Sequence, residues 1–242
     1  MAVGTVPTSA DPLHIAAAAN LQDVLTKALI PAFTHSMGIE VVPTFGATKQ
    51  LAIQIEHGAP VDVFVAADTK SVAKLAKEGE ILQGTETEYA IGQLVLWTRS
   101  DSALHPQSIA DLSSASYAHI AIANPDTAPY GRAAVTALQR AGIYDSVQPR
   151  IVQAENIAQA LQYARSGNAD VALTALSLVV TDNKDPYVIV PGSLHDPIAQ
   201  SAGVVAGTHD ATDAKSFLAF LVGPTAAPIW KSYGYLPPGS AH

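Results

Sequence analysis

Four short stretches of the sequence place a polar residue or a glycine where a predicted strand passes into a predicted helix. They contain Asn20, Thr48, Tyr130 and Ile157. The first turn of a helix has unpaired N–H groups and carries the positive end of the helix dipole, so it can bind a small anion without a formal positive charge. If the four junctions converge, their combined chemistry is that of an oxyanion site.

Each junction taken alone has a simpler interpretation, because Asn, Thr, Ser and Asp commonly cap the first turn of a helix. Asn20, between the first strand and the first helix, has the position of such a cap. The set favours a site, since Gly46 precedes Thr48, Gly131 follows Tyr130, and glycine allows a backbone to approach a ligand closely. The pattern matches neither the dinucleotide fingerprint nor the lysine-terminated phosphate loop, so a nucleotide ligand is not expected.

The elements that must position these junctions form two similar series along the chain. Apolar runs at residues 13–18, 39–44 and 61–66 predict strands, and a helical segment follows each of them. The second series comprises predicted strands at 94–98, 117–123, 149–152 and 171–174, with helices at 129–141 and 156–166. Repeated strand–helix units predict parallel sheets with right-handed crossovers. A late strand at 197–205, followed by two helices, predicts that the chain returns to the first half.

The two series predict an α/β fold of two lobes, each with a mixed, mostly parallel sheet flanked by helices. A ligand site is expected in the cleft between the lobes, because open α/β sheets bind ligands at the carboxyl ends of their strands. The segments near 90–98 and 197–205 are the predicted crossovers, and paired crossover strands can serve as a hinge. The predicted division is lobe 1 at residues 12–92 and 201–236, lobe 2 at 93–200, and flexible termini at 1–11 and 237–242.

The composition excludes several classes of protein. The chain has 242 residues, of which 48% are hydrophobic and 14% charged, so it can bury a sizeable core. A formal charge of −8 without any run of basic residues makes a nucleic-acid or anionic-membrane partner unexpected. The absence of cysteine excludes disulfides and thiolate metal sites. No stretch has the length of a membrane span and residues 1–11 lack signal-peptide features, so a secreted protein is expected as a mature form.

Catalytic and metal-binding chemistry has little support in the sequence. The eight histidines show no paired spacing typical of metal ligands, so no site for a metal cation is predicted. There is no Gly-x-Ser-x-Gly elbow. We expect Asp68 to cap its helix, and Asp62 to bond backbone groups or to form part of a docking face for a partner protein. No nucleophile or general base accompanies the four junctions, so the sequence favours a binding protein over an enzyme.

Several motifs together form a recognisable pattern. They are Ala16-Ala17-Ala18-Ala19-Asn20-Leu21, Phe45-Gly46-Ala47-Thr48, Gly58-Ala59-Pro60-Val61-Asp62-Val63-Phe64, Ala128-Pro129-Tyr130-Gly131 and Glu155-Asn156-Ile157. In these motifs the chain resembles the molybdate-binding proteins of bacterial ABC importers, a family of periplasmic solute-binding proteins. The resemblance covers roughly residues 13–236. It implies the two-lobed periplasmic-binding-protein fold, with the ligand held between the lobes.

The resemblance also implies a set of ligand-binding residues. Two of the four implied contacts are side chains, Asn20 and Thr48, the latter at a position where Ser is usual in the family. The other two are the backbone N–H groups of Tyr130 and Ile157. The phenol of Tyr130 is an additional donor. A tyrosine that some relatives carry after the strand at 171–174 is absent, because Ala175 aligns there. Lys49 replaces a small residue, and its amine either stays in solvent or adds a charged contact to the anion.

The implied function is the capture of molybdate or tungstate for import through an ABC permease, with no catalysis and no cofactor. The expected protein is a periplasmic monomer that binds a small oxyanion and no nucleic acid. Two alternatives remain open from the sequence. One is the same fold binding another oxyanion or a small organic anion, and the other is an α/β transferase acting on a phosphorylated substrate.

Overall fold

The computed structural model describes residues 11–182 and 184–240, which contain ten strands in two sheets. Of the predicted flexible termini, residues 1–10 and 241–242 lie outside the described residues. The strands are β1 (Leu13–Ala18), β2 (Val41–Gly46), β3 (Val63–Ala66), β4 (Thr87–Gly92), β5 (Leu94–Trp97), β6 (Ile120–Ala123), β7 (Ile151–Ala154), β8 (Val171–Ala175), β9 (Tyr187–Ile189) and β10 (Ile198–Val204).

Helices cover the faces of both sheets. They are α1 (Gln22–Val24), α2 (Ile30–Met37), α3 (Thr48–Glu56), α4 (Thr69–Glu78), α5 (Pro129–Arg140), α6 (Tyr144–Val147), α7 (Ile157–Arg165), α8 (Ala211–Leu221) and α9 (Ala226–Ser232). A 3-10 turn (Ala19–Leu21) precedes α1, and a π-helical turn (Leu25–Leu29) joins α1 to α2. The change of pitch puts Pro31 at the start of α2, where its missing N–H is tolerated.

The first sheet has the strand order β2-β1-β3-β10-β4, and the second has the order β7-β6-β8-β5-β9. In each, four strands run in one direction and one runs against them: β10 is antiparallel to β3 and β4, and β5 is antiparallel to β8 and β9. This confirms the predicted architecture of two mixed sheets flanked by helices. Strands covered on both faces read as continuous apolar runs, as β3 and β6 do.

The chain passes between the sheets twice among the described residues, once from β4 to β5 and once from β9 to β10. The first sheet takes up the chain at Ile198, three residues before the predicted boundary at 201, because Ile198 pairs with Gly92 and Gln200 with Ala90. Gln93 is the residue between β4 and β5, and its carbonyl accepts from Leu176 N–H. The division into two lobes that move as units stays a prediction.

Tertiary pairing shifts several predicted boundaries. β2 runs over Val41–Gly46 rather than 39–44, because it pairs residue for residue with β1 from Leu13 to Ala18. β9 was not predicted, since it has only three residues with exposed ends and stands at an edge beside β5. The first helical segment continues to Met37, beyond the predicted end at residue 33, and Gly38 ends it in the left-handed conformation at φ 72°.

An apolar core runs without interruption from the first sheet to the second. A separate cluster on the other face of the first sheet packs α3 and α4 against β3 through Leu51, Ile55, Phe64, Val72 and Leu75. Asp62 is 7% exposed and accepts hydrogen bonds from His14 N–H, Thr208 Oγ1 and His209 N–H, so the expected backbone bonding is confirmed. Within the described ranges, no helix has the length and apolar character needed to cross a membrane.

Gly131 provides a test of how tightly α5 packs on its sheet. A Cβ at this residue would stand 2.3 Å from the carbonyl oxygen of Ala123, a backbone atom of β6. We expect Gly131→Ala to lower the free energy of unfolding by about 1–3 kcal/mol. In calorimetry this corresponds to a melting temperature lower by roughly 3–10 °C for a chain of this size.

The matched control is Gly207→Ala. An added Cβ at Gly207 meets no heavy atom within 4 Å, and the residue does not have a positive φ. Its unfolding free energy should change by less than about 0.5 kcal/mol. Equal melting temperatures for the two variants would contradict the tight packing.

Candidate anion-binding site

The four predicted junctions meet around one small cavity between the sheets. Its lining comprises Ala18, Ala19, Asn20, Gly46, Ala47, Thr48, Ala67, Ala128, Pro129, Tyr130, Asn156 and Ile157. The cavity measures about 10 Å³, close to the space that one water-sized group needs. Pockets for drug-sized molecules usually measure roughly 300–1,000 Å³, so this cavity suits a single small ion better than a nucleotide or a sugar.

Thr48 is the first residue of α3 and is 1% exposed. Its hydroxyl accepts a hydrogen bond from Ala67 N–H at 3.2 Å and donates none to any described residue. The hydroxyl proton is therefore available to a ligand. Ala47, and not Thr48, has the N-cap position and makes no side-chain bond to the helix, so Thr48 does not act as a cap.

Tyr130 is the second residue of α5, after Pro129. Because proline has no N–H and Arg132 N–H already bonds Ala128 O, the first backbone donors available at this helix end belong to Tyr130 and Gly131. The phenol, expected as an additional donor to the anion, is instead bonded to Gln200, whose Nε2 lies 3.1 Å from it.

The two glycines beside the site serve packing. Gly131 permits α5 to lie against the backbone of Ala123, as described above. At Gly46 a Cβ would meet the side chain of Leu51 at 3.2 Å. The structure thus gives each glycine a neighbour inside the protein, whereas the sequence suggested close approach to a ligand.

Ile157 begins α7, and Asn156 caps it, with Oδ1 accepting from Gln159 N–H at 3.0 Å. The N-cap side chain occupies the N–H of the third residue and leaves the N–H groups of Ile157 and Ala158 free of partners in the helix. Ile157 N–H is therefore a backbone donor at the cavity, as the resemblance implied.

Asn20 differs from the cap that the sequence predicted. It lies within the 3-10 turn after β1, is 1% exposed, and makes no capping hydrogen bond. Its Nδ2 donates to Gln200 Oε1 at 2.9 Å and to the hydroxyl of Tyr235 at 2.8 Å. Its Oδ1 is buried and has no hydrogen-bond partner among the described residues.

Sequence reasoning missed the residues behind Asn20. Gln200 is fully buried in β10, and its Oε1 also accepts from the hydroxyl of Tyr89 at 2.9 Å. Ser177 Oγ donates to the backbone oxygen of Asn20 at 2.8 Å. The sequence signal that could have identified Gln200 is a glutamine among small and apolar residues in a central strand. A buried polar side chain requires hydrogen-bond partners, so such a residue points to a polar cluster.

The cavity is neutral. No Lys, Arg, Asp, Glu or His side chain belongs to its lining. Burial raises the pKa of the phenols of Tyr89 and Tyr130 well above the usual value, and it raises the pKa of Tyr235 as well. These hydroxyls stay protonated at physiological pH, so they place no negative charge at or behind the cavity.

Contacts between the two halves surround the cavity. Lys49 N–H donates to Thr127 O at 3.1 Å, which joins α3 to the loop before α5. Asp68 caps α4 by accepting from Ser71 N–H, which confirms the predicted cap, and it also forms an ion pair with Arg132 at 2.6 Å. The side chain of Lys49 is exposed. The structure therefore places its amine in solvent rather than in the cavity.

The described residues contain no group of three or more His, Cys, Asp or Glu side chains placed to hold a metal ion. Ala175, where the resemblance implied a missing tyrosine, is buried at the end of β8 opposite Leu94 and does not line the cavity. The groups brought together at the cavity are thus the hydroxyl of Thr48, the side-chain amide of Asn20, and the backbone N–H groups at the helix starts of Tyr130 and Ile157.

Comparison with known proteins agrees with this fold. The molybdate-binding protein ModA of Azotobacter vinelandii is 38% identical over 226 residues, covering 92% of this chain and 89% of the relative. The ModA protein of Rhodobacter capsulatus is 35% identical over 232 residues, covering 96% and 90%. The structure of the Azotobacter vinelandii periplasmic molybdate-binding protein superposes with a TM-score of 0.89 and 34% identity, covering 93% of this chain and 99% of that one.

A family profile described as "Bacterial extracellular solute-binding protein" matches residues 13–236. The match spans both sheets and every junction that lines the cavity. Such a protein binds its solute without transforming it, in agreement with the prediction of a binding protein and not an enzyme. The chain belongs to the family of bacterial extracellular solute-binding proteins.

Proposed function

We propose that this protein captures molybdate in the cavity between its two sheets, with Asn20, Thr48, Tyr130 and Ile157 as the binding residues. The observation that carries the proposal is the convergence of these residues on one buried, uncharged space of small volume. Two of the four lie at the carboxyl ends of β1 and β2, and two lie after β6 and β7. The names of the relatives, which are molybdate-binding proteins, support the choice of ion.

The chemistry of the donors supports a fully deprotonated oxyanion. Hydrogen bonds from a hydroxyl and from backbone N–H groups to a charged oxygen are short and strong. A protonated oxyanion such as hydrogen phosphate needs one acceptor in the site, and donors alone cannot provide it. Tungstate has the same charge and shape as molybdate, so we include it in the proposal.

The transport role follows from the same inference. We propose that the loaded protein acts outside the cytoplasm, as a monomer, and delivers its ion to an ABC permease. The similar protein of Azotobacter vinelandii is periplasmic, which supports the location. The charge of −8 and the absence of a basic run support a partner other than nucleic acid.

Thermal melting with molybdate, tungstate, sulfate and phosphate, one at a time, tests the ligand. An ion at about 1,000 times its dissociation constant stabilises the folded protein by roughly 4 kcal/mol, which raises the melting temperature measurably. We expect a clear rise with molybdate and tungstate and none with phosphate. Equal shifts for all four ions, or no shift with any, would refute the proposed ligand.

Thr48 provides a test of the individual contacts. Thr48→Ala removes a hydroxyl whose proton has no acceptor among the described residues, so molybdate affinity should fall by about 1.5–3 kcal/mol, the usual value for a hydrogen bond to a charged partner. Thr48→Ser keeps the hydroxyl and should bind nearly as well as the parent. Isothermal titration calorimetry measures both. If the alanine variant binds molybdate as tightly as the parent, the Thr48 hydroxyl serves only as the acceptor for Ala67 N–H.

Closure of the lobes around the ion is a further expected outcome. The cavity takes its donors from both halves, so an ion that touches all of them favours the conformation in which they converge. Small-angle scattering should show a smaller radius of gyration with saturating molybdate than without it. The Thr48→Ala variant at the same ion concentration is the control. A constant radius while calorimetry shows saturation would mean that the site is preformed and that the predicted hinge is wrong.

A further inference from the structure

Asn20 belongs to a buried cluster of hydrogen-bonded side chains, here called the amide cluster, which comprises Asn20, Tyr89, Tyr130, Gln200 and Tyr235. Each of the five is at most 3% exposed. Asn20 Nδ2 donates to Gln200 and Tyr235, Tyr89 donates to Gln200, and Gln200 Nε2 donates to Tyr130. Only Asn20 and Tyr130 also line the anion cavity, so the cluster stands directly behind the site.

In this arrangement the donors and acceptors of the cluster are poorly matched. Asn20 Oδ1 has no partner among the described residues. One of the two hydrogens of Gln200 Nε2 and the hydroxyl proton of Tyr130 also have no acceptor there. Buried polar groups without partners are destabilising, and native proteins contain few of them.

Rotating both amides by 180° about their last bond removes the mismatch without moving any heavy atom by more than the exchange of O and N. Gln200 Oε1 then accepts from Tyr130, and Gln200 Nε2 donates to Tyr89 and to Asn20 Oδ1. Tyr89, whose single hydroxyl proton lies within reach of both Ala66 O and Gln200, then donates it to Ala66 O at 2.9 Å. Tyr235 redirects its hydroxyl proton from the backbone oxygen of Asn20, 3.2 Å away, to Asn20 Oδ1. Both amide oxygens of the cluster then have donors.

The same rotation changes what the site offers the ion. The two ends of an amide diverge, so whichever end does not face Gln200 and Tyr235 is directed away from them, toward the cavity that Asn20 lines. After rotation that end is Nδ2, with both of its hydrogens unused by the protein. An oxyanion in the cavity is the acceptor that this group lacks.

We propose that Gln200 is a positioning residue of the anion site, which determines whether the donor or the acceptor end of the Asn20 amide faces the ion. The inference rests on the proposed function, because it assumes that the cavity holds the anion. Gln200 does not line the cavity and acts through Asn20. The hydrogen bond between Gln200 and Tyr130 joins β10 to the start of α5, so this contact requires the two halves to be together.

Gln200 thereby contributes to specificity. With Nδ2 toward the cavity, the site contains donors alone and suits an anion without protons. With Oδ1 toward the cavity, an acceptor opposes the oxygens of such an anion and can accept the proton of hydrogen phosphate instead. Loss of the orientation should therefore weaken molybdate binding more than phosphate binding.

Nuclear magnetic resonance of the uniformly ¹⁵N-labelled parent protein tests the orientation directly. The side-chain amide signals of Asn20 are identified by their loss in Asn20→Ser. With saturating molybdate we expect these signals to shift, together with the backbone amide of Ile157. A shift at Ile157 with the Asn20 side chain unchanged would overturn this inference and leave the proposed function standing. No shift at either would overturn both.

Calorimetry of Gln200→Met, with Gln93→Met as the matched control, tests the positioning role. Gln93 is a second glutamine between the sheets, but its Nε2 bonds Gly234 O at 2.6 Å and does not contact Asn20. We expect Gln200→Met to lose about tenfold in molybdate affinity and to show a smaller ratio of molybdate to phosphate affinity.

The control should change molybdate affinity less than about threefold, with its ion preference intact. Equal losses in the two variants, or an unchanged preference in Gln200→Met, would contradict the positioning role. Thermal melting of the ion-free proteins shows whether each variant folds. If Gln200→Met does not fold, the shift of the Asn20 side-chain amide signals in the parent protein tests the inference instead.

Discussion

The proposed function depends on one electrostatic constraint: a small anion must be enclosed where no positive side chain neutralises it. An unpaired charge removed from water is very costly unless hydrogen bonds replace its hydration. Here the replacement consists of helix starts and a hydroxyl at the carboxyl ends of strands in two sheets. Neither sheet alone provides all of them, since Asn20 and Thr48 follow strands of the first and Tyr130 and Ile157 follow strands of the second. The two-sheet architecture is thus a requirement of the donor set.

This constraint explains why small residues surround the cavity. Helix starts converge only if backbones approach closely, and side chains at the contact points would hold them apart. Gly131 allows α5 to lie against Ala123 O, and alanines form much of the lining. Pro129 begins α5 with a fixed φ and without an N–H that needs a partner, which leaves the next residues as the donors. Packing and binding therefore act on the same residues at this junction.

Locally encoded features could be predicted from the sequence, and features that depend on distant partners could not. The succession of strands and helices, and the helix starts at Thr48 and Ile157, follow from apolar periodicity and turn chemistry. The cap predicted at Asn20 was wrong because its partners, Gln200 and Tyr235, lie 180 and 215 residues further along the chain. The edge strand β9 was missed because its three residues have little apolar pattern of their own.

The absence of charged side chains from the cavity lining also affects how the proposed ion would be released. A lysine or arginine beside the ion would keep attracting it after the lobes separate, whereas helix starts act only at close range. Each hydrogen bond to a charged group contributes roughly 1.5–3 kcal/mol, so loss of the two junctions of one lobe would weaken binding by roughly 3–6 kcal/mol, a factor of about 10² to 10⁴. The pair between Asp68 and Arg132 joins the halves outside the cavity lining, about half exposed on the arginine side, and contributes little to holding them closed. The affinity of such a protein is therefore set by its conformation, and a transporter that separates the lobes would release the ion without any chemical step.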